Sequence, residues 1–318
     1  MQRCTASSAG TRVQPDTHII GGADARYHEA ARRCGELVRR DDATIHARGG
    51  TMFLGHGGPT ERVVLLLHGL TASPMQCDGL ARRLHQSGDT VLIPRLPGHG
   101  AHDRLTTQLR ELRARHLIDA AEDALSIARG LGTSVIVAGF SLGGLLTAWL
   151  AQHHHVDHAV AISPFLGVSC VPRQATSAFA AALHALPNMF LWWDPVRRER
   201  LMPDHGYPRY PTHAIAEALG IATTLSGLAR MTAPVTRRIT IVTNASETAV
   251  NNAAARELAR AWNSHGGDAA QLHSITGLPP SHDVIEPLRP GTHARRAYRT
   301  LLPILHSTTP DAVPGASP

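Results

Sequence analysis

The chain contains no lysine: across 318 residues all 31 basic side chains are arginine, set against 25 acidic residues and 21 histidines. Coding bias towards G and C accounts for that choice without any appeal to function. Aromatic residues are also scarce at 4%, and the arginines are spread along the chain, so a formal net charge of +6 brings no visible base-stacking platform or backbone-tracking stripe. No nucleic-acid partner is expected.

Cys4, Cys34, Cys77 and Cys170 stand far apart with no Cys-x-x-Cys pair, which removes the usual zinc and redox motifs. His153-His154-His155 with His158 has a metal-like look, but consecutive histidines at a helix end point in different directions, and no metal is expected. No apolar run approaches the length of a membrane span, and residues 1–10 lack the apolar core of a secretory signal. The expected location is therefore the cytoplasm, without an integral membrane segment.

Short, nearly continuous apolar runs are present instead: Val63–Leu67, Thr90–Ile93, Ser134–Ala138, Val156–Ser163, Arg238–Val242 and Ala270–Ile275. Between them lie helix-compatible segments at 74–87, 109–130 (with Gly130 and Gly132 as stops) and 253–262, and a closing one at 292–305. This alternation predicts an α/β fold, a mostly parallel sheet covered by helices on both faces. An N-terminal helix is expected over 26–40 with Cys34, Leu37 and Val38 on one side, and a short antiparallel section over 43–54.

The alternation breaks at Pro164. Residues 165–234 read as irregular and rich in proline and aromatics, as in Trp192-Trp193-Asp194-Pro195, and a long insertion of this kind is expected to be a cap. Its aromatics either line a pocket or hold the cap to the body. The expected organisation is one domain over 25–306, with unstructured segments at 1–24 and 307–318.

The chemistry concentrates around Gly139-Phe140-Ser141-Leu142-Gly143. A buried strand runs into it and an Ala/Leu-rich helix runs out, the context of a nucleophile elbow. The tight turn needs small residues two positions either side of the serine, and Gly139 and Gly143 supply them. The turn sets the hydroxyl at the helix N-terminus, where the Leu142 N–H can bind a developing oxyanion. The loop after Val63–Leu67, His68-Gly69-Leu70-Thr71, offers the Leu70 N–H as a second donor, with His68 holding the loop's shape. His99, in Pro97-Gly98-His99-Gly100, reads as structural.

A serine nucleophile needs a base and an orienting carboxylate. The order nucleophile, acid, histidine directs attention to the loops after the last two strands, where Glu247 is the only acid of 243–250 and His282 follows Pro279-Pro280-Ser281. Asp283 is set aside as an exposed or capping residue, since adjacent loop side chains seldom face each other.

Through Leu67-His68-Gly69-Leu70-Thr71, Pro97-Gly98-His99-Gly100, Gly139-Phe140-Ser141-Leu142-Gly143-Gly144 and Ser281-His282-Asp283, residues 63–305 resemble the α/β-hydrolases of the bacterial carboxylesterase and monoacylglycerol-lipase-like group, which is also filed with serine-aminopeptidase-like hydrolases. The resemblance implies Ser141 as nucleophile, His282 as base and then acid, Leu70 and Leu142 as the oxyanion hole, and no cofactor. One position departs from it: the group's Gly-x-x-Asp-x-x-Val reads Asn244-Ala245-Ser246-Glu247-Thr248-Ala249-Val250 here, so the triad acid would be a glutamate. The expected activity is hydrolysis of small carboxylic esters with short-to-medium acyl chains or of monoacylglycerol-like esters, through an acyl-enzyme. A thioesterase or small-peptide hydrolase of the same fold, and a non-catalytic ligand binder, are the alternatives; aspartate-nucleophile dehalogenases and epoxide hydrolases are disfavoured by Ser141.

Overall fold

The computed structural model describes residues 22–307. In chain order it comprises α1 (Gly22–Arg39), β1 (Met52–Leu54), β2 (Thr60–Leu67), α2 (Asp78–Gln86), β3 (Thr90–Ile93), α3 (Ala114–Leu131), β4 (Gly132–Phe140), α4 (Leu142–His153), β5 (His158–Ile162), α5 (Thr176–Ala185), β6 (Phe190–Trp192), β7 (Arg209–Pro211), α6 (Thr212–Met231), β8 (Ile239–Asn244), α7 (Asn252–Asn263), β9 (Ala270–Ile275) and α8 (Ala294–His306). Seven strands form one sheet in the order β1-β3-β2-β4-β5-β8-β9, parallel throughout except for β1.

The apolar runs are uninterrupted because both faces of the sheet are covered. Val63, Leu65 and Leu67 of β2 pack into a core shared with α1, α3, α4, α6 and α7, whereas Val64 and Leu66 point the other way, into a core shared with α2 and α8. The period-2 geometry of a strand thus feeds two cores from one segment. Each of these fully buried aliphatic side chains stabilises the fold by about 2 kcal/mol.

The chain leaves β2 for β3 on one side, then crosses to lay β4 on the other. A cleft opens at such a reversal, outside the carboxyl ends of the two strands, and here those ends are Leu67 and Phe140. Fold topology alone therefore puts the loop after β2 next to the turn after β4.

Several elements differ from the sequence-based expectation. The expected antiparallel section is present but reduced: β1 pairs antiparallel with β3 at the sheet edge, and residues 43–51 are turns carrying a single antiparallel bridge, Ile45 to Ala101. Gly130 does not stop α3; it lies inside the helix, where a Cβ would overlap Ala30, and so lets α1 cross closely. Cys34 is buried on that crossing, but Val38, one turn later, is exposed. Helix α1 starts at Gly22, inside the segment expected to be unstructured. The rest of that segment, 1–21, and all of 308–318 lie outside the described residues.

The excursion between β5 and β8 is more regular than its sequence suggests. It holds the 10-residue α5, the β6–β7 ribbon and the 20-residue α6. Helix α6 escapes a stripe-based reading because it is apolar around much of its circumference: Ile215 and Leu219 face α5, while Ala222, Leu225 and Ala229 enter the main core. Its first half belongs to the excursion and its second half to the body of the fold.

Candidate active site

Ser141 sits between β4 and α4 with φ 55° and ψ −111°, a backbone conformation that L residues with side chains rarely adopt. Its surroundings hold it there. The Ser141 N–H donates to Ile162 O at 2.9 Å, and its carbonyl accepts from the N–H groups of Leu145 and Phe165. A Cβ at Gly139 would overlap the Gly143 carbonyl, and one at Gly143 would overlap the carbonyl of Leu67, so both glycines are required by close backbone approach. The serine caps α4, whose first-turn N–H groups have no acceptor within the helix.

His282 lies across the hydroxyl. Its Nε2 is 2.7 Å from Ser141 Oγ and its Nδ1 is 2.9 Å from Glu247 Oε2, so with the proton on Nδ1 the imidazole donates to the carboxylate and accepts from the serine. The Phe140 ring, 4.9 Å away between centroids, packs on the imidazole. The Glu247 side chain is wholly buried, and its second oxygen, Oε1, accepts the N–H groups of Thr248 and Ala249 at 2.9 and 2.7 Å. Burial alone would raise this carboxyl, but the hydrogen bond and charge of His282, with the backbone donors of Ala249 and Val250, outweigh it and hold Glu247 below the ordinary glutamate value. It is ionised at neutral pH. Asn244 joins the two loops, its amide donating to the carbonyls of Pro279 and Ser281.

The loop after β2 is pinned from three sides. His68 Nδ1 donates to the Gly69 carbonyl and its Nε2 accepts the Leu96 N–H at 3.1 Å, which ties the loop to the one after β3. Burial lowers the His68 imidazole well below its usual range, so it stays neutral in this role. Gln76 accepts the Gly69 N–H at 2.8 Å and donates from Nε2 to Asp283 Oδ2 at 2.8 Å, linking this loop to the one that carries His282. From the excursion, the Tyr207 N–H donates to the Thr71 carbonyl and the Trp193 indole donates to Thr71 Oγ1.

Leu70, Ser141, Leu142 and His282 all line one cavity of about 560 Å³. Its walls are largely apolar, with Phe165, Phe179, Leu183, Trp193, Tyr210 and Ile215 supplied by the excursion or the segment leading into it. Size and lining suit a small organic ligand.

Of the other residues singled out from the sequence, His99 is fully buried, its Nδ1 donating to Pro97 O, and it stacks against Tyr207. Burial pushes its imidazole down to about 4. Asp283 does not reach the His282 imidazole, yet it is buried rather than exposed: Oδ1 caps the N–H groups of Ile285 and Glu286 while Oδ2 receives Gln76. His153, His154 and His158 turn to separate neighbours, the Trp149 carbonyl, Glu122 and Thr240. Gln76 escaped the sequence reading because nothing in its local pattern marks it; only its partners, one of them far along the chain, do.

A family model described as the alpha/beta hydrolase fold matches residues 62–206. A thermostable monoacylglycerol lipase of Bacillus sp. (strain H-257) is 33% identical over 106 residues, a match that spans 33% of this chain and only 40% of that lipase. Among solved structures, one from a study of the metagenome-derived lipolytic enzymes LipS and LipT covers 82% of this chain and 98% of its own, with a TM-score of 0.62 at 19% identity. The monoacylglycerol lipase of Paleococcus ferrophilus covers 81% and 98%, with a TM-score of 0.61 at 17% identity. The chain has the α/β-hydrolase fold, and lipases and esterases are among the proteins it is similar to. Among the described residues, no helix is long and apolar enough to cross a membrane.

Proposed function

We propose that the protein is a serine hydrolase that cleaves carboxylic esters through an acyl-enzyme, with Ser141, His282 and Glu247 as its catalytic triad. The observation that carries this is the continuous chain from buried carboxylate to imidazole to hydroxyl, at 2.9 and 2.7 Å, at the mouth of an apolar cavity. Ser141 Oγ attacks the ester carbonyl as His282 Nε2 takes its proton, and the ionised Glu247 stabilises the imidazolium that forms. The N–H groups of Leu70 and Leu142 bind the oxyanion, and the pinned Gly69–Thr71 loop supplies the rigidity such donors need. His282 then returns the proton to the departing alcohol and activates the water that releases the acid.

Residues 165–234 act as a cap that sizes the acyl pocket, with α5 and the start of α6 against Phe165 and Tyr210. The monoacylglycerol lipase relative supports a monoacylglycerol-like ester, and the apolar cavity suits a short-to-medium acyl chain. The test is hydrolysis of p-nitrophenyl esters from acetate to palmitate by the wild type, Ser141→Ala and Glu247→Gln, with fluorophosphonate labelling of Ser141 alongside. The expected losses are about 10⁴-fold or more for Ser141→Ala and about 10³–10⁴-fold for Glu247→Gln. A Glu247→Gln enzyme of near-full activity would remove Glu247 from the triad, and an unlabelled Ser141 with no ester turned over would leave a ligand-binding protein.

A further inference from the structure

Arg289 also lines the cavity that holds Ser141. Its side chain is only 18% accessible; its nearest acidic partner among the described residues is Asp283 Oδ2, at 3.6 Å and beyond hydrogen-bonding reach, and its charge also acts on the buried Glu286. Asp283 has little left to offer. Its oxygens already receive Gln76 Nε2 at 2.8 Å and the N–H groups of Glu286 and Ile285 at 3.0 and 3.1 Å. A guanidinium carries five N–H donors and cannot shed its charge, and burying such a group without acceptors is costly. Charge at this spot has no role in the acyl-transfer steps, which Ser141, His282 and Glu247 complete without it.

Position indicates which half of the substrate Arg289 meets. The excursion walls the cavity with Phe179, Leu183 and Ile215, which suit an aliphatic acyl chain. Arg289 stands instead on the loop of His282, next to Asp283, the residue that follows the imidazole in sequence. That imidazole delivers its proton to the departing alcohol, so its loop borders the leaving group.

We infer that the alcohol half of the natural ester carries an anionic group, a phosphate monoester or a carboxylate, which Arg289 binds through its unused donors. Arg289 is in this view a specificity-determining residue. The inference rests on the serine-esterase reading above, but it can fail alone.

The experiment compares kcat/KM for three esters with one butyryl group: 1-butyrylglycerol, 1-butyrylglycerol 3-phosphate and O-butyryl lactate. At low salt the wild type is expected to prefer one or both anionic esters over the neutral one by about tenfold or more, chiefly through KM, and whichever leads identifies the phosphate or the carboxylate. Arg289→Met removes most of that ratio and Arg289→Lys keeps part of it; because a ratio is read, a general loss of activity cancels. Product inhibition of the wild type provides an arm independent of any variant, with glycerol 3-phosphate or lactate expected to inhibit at lower concentration than glycerol. Equal rates on neutral and anionic esters, or a preference that survives in Arg289→Met, overturn the assignment to Arg289 while leaving the esterase intact. No turnover of any ester together with an unlabelled Ser141 overturns both.

Discussion

The turn around Ser141 and the excursion between β5 and β8 border the same cavity but are built on opposite terms. At the turn, backbone meets backbone: Gly139, Gly143 and Leu67 approach so closely that no Cβ is tolerated, and Ser141 is held at φ 55°. The excursion meets the cavity with side chains, Phe179, Leu183, Leu191, Trp193 and Ile215, and leaves Leu186, Met189 and Val196 exposed. On the proposed reading, chemistry that needs sub-ångström placement falls to the part fixed by the sheet, and substrate shape to the part fixed by replaceable packing. Thr71, on the neighbouring loop after β2, is bonded to Tyr207 and Trp193 and ties that loop to the excursion.

The hardest break of that contrast is Gly143→Ala. The added methyl collides with the Leu67 carbonyl, and neither backbone segment can yield without moving a central strand. The expected cost is about 3 kcal/mol or more in urea unfolding, with activity lost together with stability. A variant as stable as the wild type would show that the turn has slack.

A gentler change on the other side is Phe179→Ala. It enlarges a half-buried wall without touching the sheet, so the optimum of the p-nitrophenyl ester series is expected to move to longer acyl chains, with the ratio of long- to short-chain kcat/KM rising about tenfold or less. An unchanged chain-length profile would take Phe179 out of the acyl pocket.

The smallest effect separates the two regions by pH. In the sheet, His158 lies buried on β5 and burial lowers its imidazole to about 3; His99, beside the excursion, falls to about 4 for the same reason. At the seam between the excursion and the His282 loop, His205 and Glu286 lie 3.3 Å apart, both buried, and burial lowers His205 to about 4 while raising Glu286 to about 8. The histidines bind protons more readily unfolded than folded, so stability is lost as pH falls from 6.5 towards 4. Glu286 has the opposite sign: the unfolded carboxyl ionises from 4.5 upward while the folded one stays protonated until about 8, so stability also declines across that window. Four buried histidines, His68 with these three, outweigh one glutamate below 6.5, and urea midpoints are therefore expected to peak near pH 6.5. Glu286→Gln should flatten the alkaline limb, which belongs to the seam, and steepen the acid limb between pH 4.5 and 6.5. A limb unchanged in that variant would mean that Glu286 is ionised in the fold.

The elements that could be read from the sequence are those whose partners are near in the chain or whose whole environment is one kind of surface. Buried strands such as Val63–Leu67 announce themselves because both faces are apolar, and the Gly139–Gly143 spacing announces its turn because close backbone approach excludes other residues. Glu247 and His282 were reachable through chain order, and the longer glutamate arm sits with one oxygen on the imidazole and the other on the turn at 248–249. The regular helices α5 and α6 were missed where an apolar surface on several sides erased the stripe that marks a helix.

Sequence by itself determined the alternating α/β fold, the tight turn at Ser141 and the chain order that sets Glu247 and His282 in the loops after the last two strands, because strand period, glycine spacing and chain order are local or topological quantities. Only the tertiary structure decided that Gln76 links the Gly69 loop to Asp283, that Thr71 is clamped from the excursion, and that Arg289 reaches the cavity with donors to spare. Those arrangements depend on groups up to 207 residues apart meeting at hydrogen-bond range in a buried space. No pattern within a few residues of any one of them records that meeting.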